Sequence, residues 1–194
     1  MKPDAELLER LRRSGIRIDR EGQFIHQGEP VRHEGLRRAL FRWLDRDDQD
    51  GDQSGHEAGH EDGHASRYVL RLDERRFAYL DVDDTPLVVR ALRVQKGDGD
   101  GDGDGEVHLE LSDGAAERLD PATLTVDDEG ILRCRVRGGR LEARLATSAA
   151  AALADRITET PSGPVLTASP GGTPTPIQRR PPAPPPPPHP RGPG

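Results

Sequence analysis

The stretch ILRCRVRGGRLEARLA, residues 131–146, decides how this chain folds. Apolar and charged residues alternate on both sides of Gly138-Gly139, the period of a strand with one buried face. Two consecutive glycines suit a two-residue type I′ turn, which needs positive φ at both positions. The register then follows. Val136 lies opposite Leu141, Cys134 opposite Ala143 and Leu132 opposite Leu145 on one side; Arg137 faces Arg140, Arg135 faces Glu142 and Arg133 faces Arg144 on the other. One face is core and the other is almost entirely arginine.

Working outward, the same period-2 pattern recurs in RYVLRL (67–72), RFAYLDV (76–82), PLVVRALRV (86–94) and EVHLELS (106–112), which predicts four more strands. IRIDREGQFIHQGEP (16–30) alternates around Asp19 to Gly22 and predicts a hairpin. Leu36, Leu40, Trp43 and Leu44 fall at helical spacing, with Arg37, Arg38 and Arg42 on other faces, so a helix over 34–44 should lay an apolar stripe on a sheet. Leu7, Leu8 and Leu11 make a short amphipathic helix near the N-terminus that must dock onto something. After the arginine hairpin, Thr147 or Ser148 is placed to cap an alanine-rich helix through about Ile157, and GPVLTA (163–168) suits an edge strand or docking segment.

The sequence has 194 residues and a formal charge of −7, which comes largely from the stretches 45–62 and 98–106. No window approaches the roughly 20 apolar residues of a membrane span, and the charged N-terminus lacks the apolar run of a signal peptide, so a cytoplasmic protein without a membrane role is expected. The single cysteine, Cys134, excludes an internal disulfide and a cysteine-based zinc site. Residues 169–194 hold 12 of the 18 prolines and no acidic residue, and are expected to stay disordered, partly as polyproline II.

Several motifs tempt. GHEAGHEDGH (55–64) contains H-E-x-x-H twice, the zinc-protease signature, which needs a rigid helix so that two imidazoles converge on one metal. Gly55, Gly59 and Gly63 each cost such a helix about 1 kcal/mol relative to alanine, and no apolar stripe would bury it. Adventitious metal chelation by His56, His60 and His64 is the milder reading; no metal or cofactor site is assigned. The Asp-Gly run 98–104 puts Leu109 or Leu111 where a calcium loop wants its glutamate. Asp81, Asp83 and Asp84 in DVDDTP have no accompanying nucleophile or fixed histidine, and read as a strand exit, with Asp84 or Thr85 bonding the turn and Pro86 closing it. Arg179, Pro182 and Pro185 match a ligand pattern for aromatic grooves that any proline-rich tail produces by chance.

The arginine face rests on strand register and not on a string match. Arg133, Arg135, Arg137, Arg140 and Arg144 would form a locally positive field on an acidic protein. Like charges directly opposed repel, so a bound anion or acidic partner would relieve them; the alternative is a solvated face screened by salt, or internal pairing with Asp127, Asp128 or the acidic loops. These five are the candidate ligand-binding residues. No catalytic residue is assigned, and a duplex nucleic acid partner is disfavoured.

GQFIHQGEPVRHEGLRRALFRWL, then RYVLRLDERRFAYLDVDDTPLVV, then ILRCRVRGGRLEARL resemble, in order and spacing, a bacterial domain of unknown function, family 1285. Its pattern corresponds here to Gly28, Pro30 and Val31, helix 36–44, Tyr68, Leu70, Val82, Asp84 and Pro86, and finally Leu141, Glu142, Ala143 and Arg144. The sequence departs from it at Arg32 and in the expanded connection 45–66. If relatives manage without that expansion, its histidines are not the family's active site. The resemblance implies an α+β fold of two related modules of antiparallel strands, each with a packing helix. The second is similar to a pleckstrin-homology (PH) roll, and a ligand site lies between the modules. The expected organisation is an N-terminal helix (1–14), a first module (15–94) carrying the flexible insertion 45–66, a flexible acidic loop (95–105), a second, PH-like module (106–168) and a disordered proline-rich tail (169–194). The expected function is a non-enzymatic binding or regulatory module, in signalling, for an anionic nucleotide- or phosphate-bearing ligand or acidic partner. The alternative is a structural or protein-interaction module using the tail; a zinc-dependent hydrolase comes last.

Overall fold

The alternating segments become strands because each has one face to bury. In the computed structural model, which describes residues 13–47, 68–73, 76–95, 106–168 and 173–180, they build two large sheets and one small one. The first unit comprises β1 (Arg13–Ile18), β2 (Phe24–His26), β3 (Glu29–Pro30), helix α1 (Glu34–Trp43), β4 (Leu44–Arg46), β5 (Tyr68–Arg71) and β6 (Phe77–Val82). The second comprises β7 (Leu87–Gln95), β8 (Glu106–Leu111), β9 (Ala116–Arg118), a 3-10 turn at Pro121–Thr123, β10 (Thr125–Val126), β11 (Leu132–Val136) and β12 (Leu141–Leu145). The first sheet runs β3-β2-β1-β6-β5-β4, and the second runs β9-β8-β7-β12-β11-β10 with a further strand beyond β10. The two orders are the same. In each unit the first and last strands lie side by side and parallel, β1 with β6 and β7 with β12, while the remaining pairs within the unit are antiparallel. The architecture is α+β, dominated by sheet.

The expected hairpins form in register. Ile16 to Ile18 pair with His26 to Phe24, and the Asp19 carboxylate accepts from the backbone N–H of Glu21 and Gln23 to hold the turn. The arginine hairpin pairs Val136 with Leu141, Cys134 with Ala143, Arg135 with Glu142 and Arg133 with Arg144, and Gly138 and Gly139 take φ of 65° and 87°. Leu132, Cys134, Val136, Leu141, Ala143 and Leu145 are all buried, in one core that also contains Ile18, Phe24, Phe41, Leu70 and Leu80 of the first unit. Phe41 meets Phe24 edge-on at 4.7 Å.

Several expectations need correction. Leu36 is 45% exposed, and Leu40 and Phe41 carry the buried stripe of α1; Leu36 stands in the first turn, where the His33 Nδ1 accepts from its N–H. Leu44 to Arg46, expected as helix end and insertion, form β4, because pairing with β5 satisfies their backbone. β7, expected with the first module, is central to the second sheet between β8 and β12. Its parallel partner β12 lies far along the chain, where no local pattern points to it. The Ala-rich helix α2 (Thr147–Ala154) stops before Ile157, and neither Thr147 nor Ser148 caps it: Ala146 holds that position, while the Ser148 hydroxyl donates to the Arg90 carbonyl. Ile157–Thr160 is β13, which pairs with β14 (Gly163–Leu166).

The tail departs most. Residues 173–180, inside the stretch expected to be disordered, add β15 (Thr175–Pro176) to β14 and β16 (Gln178–Arg179) in parallel to β10, with Ile177 only 5% exposed between them. Residues 1–12 of the expected N-terminal helix lie outside the described residues, and β1 begins at Arg13, within the span 1–14 expected for that helix. The histidine motif, the Asp-Gly run and residues 181–194 also lie outside them. No helix among the described residues is long and apolar enough to cross a membrane.

Candidate functional site: a cleft of guanidinium groups between the two units

Period-2 alternation turns the arginines of β11 and β12 away from the core, and the fold then turns that face toward the first unit. They separate into three settings. Arg133 is 8% exposed; it donates to Asp84 Oδ1 at 2.9 Å and, more closely, to Asp127. Asp127 is also bonded by the backbone N–H groups of Glu129 and Ile131. Arg144 leans on the same Asp84 at 3.8 Å, and its backbone N–H donates to the Thr85 hydroxyl, which itself donates to the Leu87 carbonyl. Thr85 thus bonds the strand exit, one of the two residues expected to, while the Asp84 carboxylate anchors two arginines across it. Arg135 is exposed, and among the described residues its guanidinium reaches only the Gly139 carbonyl, at 3.4 Å.

Arg137 and Arg140 reach the third setting. Arg137 holds a left-handed φ of 52°, strained for a side chain with Cβ, at the turn of the hairpin. From there its guanidinium donates to the Phe41 carbonyl at 2.9 Å, the Leu44 carbonyl at 3.5 Å and Asp113 at 2.5 Å. It therefore caps the C-terminal end of α1, where unpaired carbonyls concentrate negative potential. Arg140 donates to Asp45 at 2.7 Å and is 58% exposed. Together with Arg42, Trp43, Leu44, Asp45, Arg71 and Leu141 these two arginines line a cleft of about 320 Å³ between the units. Arg71 approaches Asp45 at 3.4 Å and Asp47 at 3.6 Å and stacks over Phe77. The carboxylates beside these four guanidinium groups are Asp45, Asp47, Asp113 and Glu117, the last accepting from the Arg137 backbone N–H at 2.7 Å. Arg42 is exposed and makes no ion pair among the described residues.

The sequence therefore located Arg137 and Arg140 but missed Arg42, Trp43, Asp45 and Arg71. Trp43 reads as part of the helix's apolar stripe, and nothing in the local pattern of YVLR marks Arg71 as facing the hairpin turn. The continuous open arginine face is corrected: Asp127, one of the internal partners weighed from the sequence, takes Arg133; Asp84, Asp45 and Asp113 take Arg144, Arg140 and Arg137; and only Arg135 has no carboxylate among the described residues. Glu142 pairs with Arg180 at 2.7 Å. Nearby, burial pushes the Tyr68 hydroxyl up to about 12, Glu142 adds to the shift, and Arg46, Arg135 and Arg180 oppose it. Burial, with smaller contributions from Glu117 and Glu142, pushes the Cys134 thiol up to about 12, so it is no thiolate nucleophile at neutral pH. Among the described residues no group of histidine, cysteine and carboxylate side chains could hold a metal ion.

A two-sheet α+β protein with a charged cleft between its units is the class that this geometry defines. Its likeness to solved structures is to DUF1285 family proteins. One from Silicibacter pomeroyi DSS-3 superposes with a TM-score of 0.60 at 19% identity, covering 86% of this chain and 80% of its own. Another, from Shewanella baltica OS155, gives a TM-score of 0.52 at 13% identity, covering 72% of this chain and 90% of its own. The chain shares the fold of these proteins, in line with the resemblance carried by its motifs. No protein-family model and no curated protein matches the sequence.

Proposed function

We propose that this is a non-enzymatic binding or regulatory protein, with a part in cytoplasmic signalling, that takes an anionic nucleotide- or phosphate-bearing ligand in the cleft between its units. One observation carries the reading. Arg42, exposed and without an ion pair among the described residues, adds a fourth guanidinium to a concave site where Arg71, Arg137 and Arg140 already converge beside Trp43. Guanidinium groups bind phosphate and carboxylate oxygens through paired charge-assisted hydrogen bonds, and an indole offers a surface for a planar ring. The volume sits at the small end of ligand pockets, which favours a single small anion-bearing molecule. Asp45 is a ready internal competitor: an incoming anion displaces it from Arg140 and Arg71. Arg133 and Arg144 serve the ligand indirectly, by fixing the hairpin that presents Arg137 and Arg140. The phospho-ligand habit of pleckstrin-like rolls agrees with this assignment, as an analogy of fold only.

The test is calorimetric titration of the full chain with pyrophosphate, ADP and a phosphoserine peptide, alongside the double variant R42A/R140A. Binding of an anion by the wild type that the variant loses supports the cleft. Equal binding by both, or none by either, ends it. A protein-interaction role for the proline-rich tail is the second reading, favoured by β15 and β16, which fasten the chain to two sheets up to Arg180, immediately before residues 181–194.

A further inference from the structure

The cleft does not end at Arg140. Along β4 the chain meets the hairpin step by step: the Leu44 carbonyl accepts from Arg137 at 3.5 Å, and the Asp45 carboxylate meets Arg140 at 2.7 Å. Beyond these contacts come Arg46, opposite Tyr68 in the β4–β5 register, and Glu142, opposite Arg135 in the hairpin. Arg180 arrives from the far end of the chain. β16 pairs with β10, Ile177 is buried, and the Arg180 backbone N–H donates to the Val126 carbonyl at 2.8 Å, which brings its guanidinium to Glu142 at 2.7 Å.

This corner differs from the sealed end of the hairpin. Glu142 is taken by Arg180, whereas Arg46 and Arg135 make no ion pair among the described residues. The half-buried Tyr68 lies within the field of all four charged groups: burial first, then Glu142, pushes its hydroxyl up to about 12 against Arg46, Arg135 and Arg180. At neutral pH it therefore keeps its proton and can donate. A phenol donor beside guanidinium groups suits an anionic oxygen, since every one of them gives hydrogen bonds and only Glu142 competes to receive them.

We propose that Arg46, Arg135 and Arg180, with the Tyr68 hydroxyl, form a second anion subsite continuous with the cleft, so that the ligand carries two separated anionic groups. This rests on the cleft holding an anion at Arg42 and Arg140, and it narrows the ligand to an oligophosphate or a molecule phosphorylated at two positions. Arg140 and Glu142 lie two residues apart, which separates the two groups by about 7 Å along the strand. Pyrophosphate is too short to fill both.

Calorimetric titration of the full chain with pyrophosphate and tetrapolyphosphate, at one fixed ionic strength, tests this. The wild type should hold tetrapolyphosphate about tenfold more tightly or more. In R46A/R135A that gain should vanish, while pyrophosphate affinity falls far less. Two further variants test the sign. R180A should weaken tetrapolyphosphate, because it removes a cation and frees Glu142 to compete; E142Q should tighten it. A gain that survives R46A/R135A, an E142Q that binds no more tightly, or no gain in a wild type that binds pyrophosphate each overturns the second subsite and leaves the cleft standing. If neither anion binds, or R42A/R140A leaves pyrophosphate binding intact, the cleft reading fails and the subsite falls with it. Unfolding midpoints report whether each variant is folded; should R46A/R135A not fold, the near-isosteric E142Q decides by the direction of its effect.

Discussion

Two clusters on the same hairpin use the same chemistry to opposite ends. Around Asp84, Arg133 and Arg144 are held with little exposure, and the carboxylate of Asp127 completes the set. Around Asp45, Arg140 is more than half exposed, Arg71 pairs at longer distances, and Arg42 is left over. Burial makes the difference. A guanidinium shut away from water must keep its carboxylate, since losing the partner strands a charge, whereas one at an open cleft exchanges its partner at small cost. Arginines on one strand face are therefore not one site: those nearest the strand exit fasten the units together and those nearest the turn are free to meet a ligand.

The sharpest way to break this comparison is to remove a member of the sealed cluster. Arg133→Ala leaves Asp84 and Asp127 without their shared partner, with an expected loss of about 3–5 kcal/mol in chemical denaturation. If the loss is no greater than for Arg140→Ala, the two clusters do not differ as described. Next comes the packing between units. Gly22 has φ of 74°, and a Cβ there would lie 3.1 Å from a Val88 methyl and 3.2 Å from the Ser112 hydroxyl. Gly22→Ala should therefore cost about 1–3 kcal/mol from backbone strain alone, read as a lowered melting temperature.

At the open cleft the stability effects should be small and the binding effects large. Arg42→Ala and Arg140→Ala should each change stability by less than about 1 kcal/mol, yet each should weaken the bound anion by about 1.5 kcal/mol or more, roughly tenfold in Kd. A variant that loses both equally would make Arg140 one more fastener. The smallest effect is one of pH. Burial raises the Asp127 carboxyl, but hydrogen bonds from Arg133, Ile131 and Glu129 and the charge of Arg133 outweigh it, so its pKa lies below the ordinary value. A depressed carboxylate contributes stability that is fully present above its unfolded value of about 3.9 and is lost as pH falls through the folded value. Urea midpoints should thus drop below about pH 4 more steeply in the wild type than in Asp127→Asn.

Much of the fold was legible because its determinants are local. The alternation in LRCRV and LEARL, and two glycines with positive φ between them, set which side chains face inward, and the structure repeats that register at the four pairs from Val136–Leu141 to Arg133–Arg144. The β1-β2 turn was equally readable from Asp19 to Gly22. Leu36 and the tail were misread for the opposite reason. Helical spacing alone does not say which end of a stripe the sheet covers. One isoleucine among prolines gives no sign that β10 and β14 have edges open to receive it.

What the sequence determined by itself is the strands β1, β2, β5, β6, β7, β8, β11 and β12, the inward face of the arginine hairpin and the five arginines left off that face, since period and turn geometry act over a few residues. Only the tertiary structure decided which carboxylate each arginine meets. Arg133 finds Asp84 from 49 residues away and Arg140 finds Asp45 from 95, and such pairs exist only once β1 lies beside β6 and β7 beside β12. Parallel pairing of the first and last strands of each unit, set by how the whole sheets assemble, is what turned one row of like charges into a fastener and a cleft.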